Sequence, residues 1–317
     1  MDELPRVALI AGPTASGKSG LAVALAKSLE AKADRAVVIN ADASQVYRDL
    51  EILSARPTVE EMEDVPHRLF GHVDGADEYN AARWAEEAKR EISAAHDEGA
   101  IPILVGGTGM YIRTLLNGIA PVPEIDPEVR ERVRGLGVAD AYAELQSADP
   151  HAAARLKPAD TTRVARALEV VLATGTPIGE WQRQTRGGIA DGIALTAQIL
   201  LPPRDWLAER CDRRFEEMVV ERRAATEVAR LLARALPLSA PVMRAIGVPD
   251  LAVMLDGKIT ESEAISRGQL ATRQYAKRQY TWFRNQPPPA WPRMTESLNS
   301  ANISKFATLL RDRVLTR

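Results

Sequence analysis

Along the first third of the chain, short apolar runs alternate with amphipathic stretches. Residues 7–11 form an unbroken apolar run, as expected of a strand buried on both faces. Residues 19–29 follow, with Ala22, Leu25, Ala26 and Leu29 on one helical face. A Gly/Pro turn joins the two. Residues 36–39 predict a second strand, ending in the polar segment 40–45. Residues 79–98 predict a helix with Trp84, Ala88, Ile92 and Ala95 on one side and Gly99 as its stop. Residues 101–105 predict a third strand, running into Gly106, Gly107, Thr108 and Gly109 before a helix from Met110. Continuous apolar strands separated by helices predict an α/β fold whose parallel sheet is covered on both faces.

Past Pro121 the strand signals stop and Arg- and Ala-rich helical segments take over, so residues 122–190 are expected to be a helical insertion domain. Residues 1–121 and 191–317 would then form the α/β core. Gly187 and Gly188 mark the end of the insertion, residues 193–201 predict a returning strand, and residues 205–236 predict one long charged helix broken by Pro237 and Pro241. The last predicted helix is 261–284, followed by Pro287, Pro288 and Pro289.

Composition narrows the class. A chain of 317 residues, 45% hydrophobic and 26% charged, matches a folded globular protein. No apolar run approaches the roughly 20 residues of a membrane-spanning helix. The acidic start Met-Asp-Glu-Leu-Pro, with only a short apolar run after it, argues against a signal peptide. Cys211 is alone, which excludes an intramolecular disulfide and a CxxC metal site, and a cytoplasmic protein is expected. With 41 basic against 43 acidic residues, any polyanionic partner must be met by a local basic patch. The cations are 33 Arg and 8 Lys. Arg suits bidentate phosphate contacts, although GC-rich coding produces the same excess.

Residues 12–19, Gly-Pro-Thr-Ala-Ser-Gly-Lys-Ser, fit the phosphate-loop pattern GxxxxGK[ST] in its required place between strand and helix. The glycines let backbone amides turn inward on a diphosphate, and the helix amino terminus adds positive potential. Lys18 supplies a point charge and the Ser19 hydroxyl a ligand for Mg²⁺. The loop by itself fits any di- or triphosphate, and a nucleotide kinase is one reading, with Asp42 helping to hold the metal. The segment 40–47 places Asp42, Gln45 and Tyr47 at the carboxyl end of a strand, where open parallel sheets bind ligands. There Asp42 can accept a proton and Gln45 can read a base edge. Residues 264–295 carry no Asp or Glu, but interleave Arg267, Arg273, Lys277, Arg278, Arg284 and Arg293 with Tyr275, Tyr280, Trp282 and Phe283. That mixture suits an RNA strand by phosphate neutralisation and base stacking. Alternatively, Tyr275, Gln279 and Trp282 share a helical face and form a core stripe with a solvated basic back.

Taken in order, GPTASGKS at 12–19, DASQVY at 42–47, PHRLF at 66–70, GGTGMYI at 106–112, RALEV at 166–170 and ATRQYAKRQYTWFR at 271–284 resemble the tRNA dimethylallyltransferase (tRNA isopentenyltransferase) family over nearly the whole chain. The resemblance implies a P-loop NTPase-like parallel sheet. It also implies transfer of a dimethylallyl group from dimethylallyl diphosphate to N6 of adenosine 37 in the tRNA anticodon loop, with Mg²⁺ as cofactor. Gly12, Thr14, Ala15, Ser16, Gly17, Lys18 and Ser19 would hold the diphosphate, Ser19 would ligate the metal, and Arg214 would add a further cation. Asp42 matches the general base, and Thr108 would contact the reacting region or cap the helix that follows it. The tRNA partner would be met by Asp42, Ala43, Ser44, Gln45, Thr108, Arg130, Thr162, Arg163, Arg166, Arg244 and Arg278. A monomer acting on tRNA away from membranes is expected, and the absence of a Cys/His finger points to the bacterial type.

Two positions depart from the family. Ala43 follows Asp42 where a Ser is usual, and the IGY-type segment reads Ile246-Gly247-Val248-Pro249, in which Pro249 has no N–H to donate. The alternatives are transfer of the same group to free AMP, ADP or ATP, a nucleotide kinase, and a P-loop RNA-binding module without catalysis.

Overall fold

The computed structural model describes residues 4–316. In chain order the elements are β1 (Arg6–Ala11), α1 (Lys18–Glu30), β2 (Arg35–Asn40), α2 (Val59–Met62), β3 (His67–Arg68), α3 (Ala81–Asp97), β4 (Ala100–Gly106) and α4 (Gly109–Asn117). Next come α5 (Pro127–Gly135), α6 (Val138–Ala148), α7 (Pro150–Arg155), α8 (Thr161–Thr174) and α9 (Ile178–Gln182). The chain then continues through β5 (Ala194–Leu200), α10 (Arg204–Val220), α11 (Ala224–Ala233), α12 (Val248–Leu255), α13 (Glu261–Asn285), β6 (Arg293–Met294) and α14 (Ile303–Leu315).

The six strands form one wholly parallel sheet in the order β3-β2-β4-β1-β5-β6. Its central strands are buried from both sides, which is why they read as continuous apolar runs. One face is covered by α1 and α14, where Leu21, Leu25, Leu29, Ala307, Leu310 and Val314 pack on Ala8, Ile10, Ile103 and Val105. Trp84, Ala88, Ile92 and Ala95 bury the apolar side of α3. Asn80 starts that helix by accepting from the N–H groups of Ala82 and Arg83.

The register positions the site. Ala11 stands opposite Gly106, and Asn40 opposite Val105, so β1, β2 and β4 end level with one another. The chain leaves β1 toward β2 on one side of the sheet and leaves β4 toward β5 on the other, which makes the crevice beyond β1 and β4 the topological switch point. The phosphate loop, the Asp42 segment and the Gly107–Gly109 turn all emerge there.

The chain divides into two compact units, one made of residues up to Leu115 with those from Ala190 onward, the other spanning Leu116–Ile189. The second unit starts at Leu116 rather than at 122, because Ile119 and Arg186 exchange backbone hydrogen bonds and tie its two ends together. Its helices α5–α9 enclose a core of Val133, Leu145, Val164, Leu168 and Val171. Within it Glu169 is buried and pairs with Arg134 and Arg166.

Residues 205–236 are not one helix. Arg223 adopts a left-handed backbone (φ 57°) and separates α10 from α11. A tertiary contact outweighs local helix propensity here: the turn lets Glu227 of α11 accept from the N–H groups of Glu51, Ile52 and Leu53. Among the described residues, no helix is long and apolar enough to cross a membrane.

Gly106 is required where two strand ends meet, since a Cβ there would lie 2.1 Å from the Ala41 carbonyl oxygen. Gly106→Ala is expected to lower unfolding free energy by about 1–3 kcal/mol, the usual range for forced overpacking, measured by denaturant titration against wild type.

Candidate active site

The loop after β1 turns through two unusual backbone conformations, at Ala15 (φ 61°) and Gly17 (φ 91°). Helix α1 then begins at Lys18 with no side-chain cap and no acidic residue in its first turn, which leaves its amino terminus suited to an anion. Lys18 curls back, its Nζ donating to the Pro13 carbonyl at 2.7 Å. Ser16 is fully buried, and its hydroxyl has no hydrogen-bond partner. Ser19 is exposed on the first turn of α1. Two arginines one turn apart on α10 close the loop from above. Arg210 donates to the Ala15 carbonyl at 3.0 Å, and Arg214 donates to the Thr14 hydroxyl at 2.5 Å.

Burial pushes the Lys18 ammonium down to about 8, against a raising influence from Asp42 and with Arg214 lowering it further. Burial likewise lowers the Arg214 guanidinium. Two cations held close together and partly stripped of water form the electrostatic complement of a polyanion.

Asp42 is set by a buried amide. Asn40 donates to the carbonyls of Asp42 and Leu69, both at 3.0 Å, and accepts from the Asp42 N–H at 2.9 Å. Trp84 fixes Asn40 in turn by donating its indole N–H to the Asn40 carbonyl. The Asp42 carboxylate accepts from the Ser44 N–H at 2.9 Å. Thr108 does not cap the next helix with its side chain; its hydroxyl accepts from the Ala43 N–H at 2.9 Å. Ala43 therefore contributes its backbone here, which any residue at that position supplies. The Tyr275 phenol lies within hydrogen-bond reach of Thr108, and burial raises its pKa.

Gln279 joins the two halves. Buried on α13, it accepts from the Thr14 N–H and donates to the Gly107 carbonyl, each at 2.8 Å. The aromatic rings of this helix turn inward with it: Phe283 is buried, Trp282 lies against Gly109, and Tyr280 donates to the Leu201 carbonyl. The stacking surface expected from the sequence is thus a core and site-lining stripe, while Lys277, Arg278 and Arg284 stay exposed.

Two spaces meet at these residues. A polar cavity of about 720 Å³ is lined by residues 14–20 of the loop with Asp42, Gln45, Arg210 and Arg214. A chamber of about 50 Å³, walled by Leu53, Phe215, Met218 and Ile246, has Asp42 and Arg214 among its lining residues as well. An anion cradle therefore shares its walls with a small chamber that is polar at Thr14, Ser44, Ser54 and Tyr275 and apolar at Leu53, Phe215, Met218 and Ile246, and Asp42 lines both.

Comparison with known proteins identifies the family. The profile of the IPP transferase family matches residues 45–286. The tRNA dimethylallyltransferase of Sphingopyxis alaskensis is 63% identical over 311 residues, covering 98% of this chain and 100% of the relative. The chain belongs to the IPP transferase family. The tRNA dimethylallyltransferase of Zymomonas mobilis is 51% identical over 304 residues, covering 96% of each chain. Among solved structures, the full-length tRNA isopentenylpyrophosphate transferase of Bacillus halodurans superposes with a TM-score of 0.69 at 32% identity, over 98% of this chain and 97% of that one. A eukaryotic dimethylallyltransferase acting on tRNA gives 0.73 at 30% identity, over 88% of this chain and 69% of that one.

Of the other expected residues, Gln45 lines the phosphate-loop cavity. Gln45 donates its amide to the carbonyls of Ser54 and Ala55, so its donor group holds a loop and is not free to read a base edge. Arg244 is exposed in the short turn Pro241–Arg244. Pro249 sits in the first turn of α12, where a missing N–H leaves no helical bond unmade. Arg278 is exposed, with its guanidinium 5.7 Å from the centroid of the Tyr275 ring. Arg130, Thr162, Arg163 and Arg166 belong to the helical unit. There Thr162, Arg163 and Arg166 share the exposed face of α8, and Arg130 is half-buried. Arg163 pairs with Asp160.

Arg210 and the Asn40–Trp84 pair were not singled out from sequence. Arg210 stands four residues before Arg214 and so on the same helical face, a legible signal. Nothing local marks Asn40 as a brace. Gln279→Leu leaves the Thr14 N–H and the Gly107 carbonyl without their partner, and a loss of about 2–4 kcal/mol of unfolding free energy is expected, checked by chemical denaturation.

Proposed function

We infer that this chain is a tRNA dimethylallyltransferase, a prenyl-transferring enzyme. It moves the dimethylallyl group of dimethylallyl diphosphate to N6 of adenosine 37 in the tRNA anticodon loop and releases diphosphate. The observation that carries the reading is the pair Asp42 and Arg214, which line both the phosphate-loop cavity and the small chamber whose apolar side is formed by Leu53, Phe215, Met218 and Ile246. A donor with its diphosphate on residues 12–19 and its five-carbon tail in the chamber has its reactive C1 between the cations and the carboxylate.

The roles follow from charge. As the C1–O bond breaks, its electron pair leaves with the diphosphate, and Lys18, Arg214 and the amides of the loop stabilise that charge. The N6 lone pair forms the new C–N bond. The proton on N6 passes to the Asp42 carboxylate, whose orientation Asn40 and Ser44 hold. Thr108, fixed by the Ala43 N–H, contacts the reacting region from the end of β4. The adenine must leave its stack to reach this depth.

Ser19 fits an Mg²⁺ role. Its hydroxyl is exposed beside Lys18 in the same cavity, and among the described residues there is no cluster of three His, Cys, Asp or Glu that could cage a metal. Such a site suits an ion held by one hydroxyl, water and substrate phosphate. When bound, the ion adds positive charge against the diphosphate. Arg130, Thr162, Arg163, Arg166, Arg244 and Arg278 are proposed to meet the tRNA backbone, with the enzyme working as a monomer in the cytoplasm.

Asp42→Asn keeps an oxygen for the Ser44 N–H but cannot take a proton. Its kcat should fall by about 10²- to 10⁴-fold while tRNA affinity stays near wild type. Mass spectrometry of reacted tRNA together with filter binding checks this, and parallel loss of binding would reassign Asp42 to RNA recognition.

The second expectation is a pH profile. Lys18 carries its charge below about 8 and loses it above, so kcat/KM for dimethylallyl diphosphate should decline as the pH rises through that value. In Lys18→Met this inflection should be absent.

A further inference from the structure

One wall of the chamber beside Asp42 is the turn at residues 50–55. Its peptide groups are tied on both sides. Glu227 accepts from the N–H groups of Glu51 at 2.5 Å and Ile52 at 2.8 Å with one carboxylate oxygen, and from that of Leu53 at 2.9 Å with the other. From the opposite side Gln45 donates to the carbonyls of Ser54 at 3.1 Å and Ala55 at 2.7 Å. The Ser54 hydroxyl closes the turn on the Leu50 carbonyl, and Ala55 is left-handed with φ 52°. A carboxylate that accepts three converging backbone N–H groups is a strong, charge-assisted anchor.

Leu53 carries this anchoring into the chamber. Its side chain lines the space, and it lies so close to Gly247 that a Cβ there would sit 2.9 Å from Leu53 and 3.0 Å from Phe215. The wall therefore has no slack on its far side. A chamber of about 50 Å³ behind such a wall leaves no room for a second isoprene unit beyond Leu53.

We propose that Glu227 is a positioning residue that sets which donor chain length the enzyme accepts, by pinning the 50–55 turn so that Leu53 closes the end of the hydrocarbon chamber. The proposal rests on the assignment of that chamber to the dimethylallyl group. Glu227 touches neither substrate in this arrangement; it acts through the three amides and Leu53.

The test compares dimethylallyl diphosphate with geranyl diphosphate, one isoprene unit longer, using unmodified tRNA and wild type, Glu227→Ala, Glu227→Gln and Leu53→Ala. In Glu227→Ala and Leu53→Ala the geranyl to dimethylallyl ratio of kcat/KM is expected to rise about tenfold, the scale on which apolar pockets discriminate chain length. KM for dimethylallyl diphosphate should rise, while in the Glu227 variants kcat and the KM for tRNA stay within about twofold. Glu227→Gln keeps one acceptor oxygen and should fall between, and it carries the test with Leu53→Ala if Glu227→Ala does not fold.

A merely structural role would lower both donors alike. An unchanged ratio in the Glu227 variants, whether or not Leu53→Ala moves it, overturns the role of Glu227. A wild-type enzyme that transfers neither group overturns the chamber assignment as well, which separates the two failures.

Discussion

Three strand ends must come within backbone contact of one another for this site to exist. The carboxyl ends of β1, β2 and β4 are level, and the loops that leave them approach so closely that side chains are excluded at the crossings. At Gly106 a Cβ would meet the Ala41 carbonyl oxygen at 2.1 Å, and at Gly107 it would meet the Gly12 carbonyl oxygen at 3.2 Å. Such proximity brings main-chain donors and acceptors of separate loops into one small volume, where each must find a partner. Gln279 supplies two of these partnerships at once, so the position of the anion-binding loop and that of the Thr108 turn are set by a single amide.

Electrostatics then gives the crevice its direction. Lys18 and Arg214 are both depressed by burial, yet Asp42 opposes the shift at Lys18, so cations and carboxylate stabilise one another across the space a substrate would occupy. The asymmetry matters for a displacement reaction. Charge develops on the departing diphosphate at the cation side while a proton must be removed at the carboxylate side, and a preorganised arrangement supplies both without moving either group.

Support for these groups lies one layer out. Trp84 and Asn40 brace Asp42, Arg210 braces the loop at Ala15, and Glu227 braces the turn that bears Leu53. Each of these is a side chain bonded to a main-chain group distant in sequence. That pattern explains why α10 and α11 are separate helices: a continuous helix through Arg223 would carry Glu227 away from the amides it holds.

Much of this was legible in the chain alone. Periodicity located the four inner strands β1, β2, β4 and β5 to within a residue or two at each end, because a strand buried on both faces has no polar positions to confuse the reading, whereas the two-residue edge strands β3 and β6 are too short to show a pattern. The GxxxxGK[ST] pattern marked the anion loop, since the glycines and lysine answer a local backbone demand. Asp42 stood out through its place at a strand end, and Thr108 through the resemblance to the family. What only the tertiary structure decided were the pairings between residues far apart in sequence: Gln279 with Thr14, Thr108 with Ala43, Gln45 with the 54–55 carbonyls, Glu227 with 51–53. Gln45 was read as a base reader, and the α13 aromatics were left between a stacking platform and a core stripe, because composition reveals which chemistry a side chain has, not which partner captures it. Local periodicity reports the burial of a face. Only the folded register determines which buried polar group lies within 3 Å of which other, and those contacts turned one long predicted helix into two and a row of polar residues into a braced site.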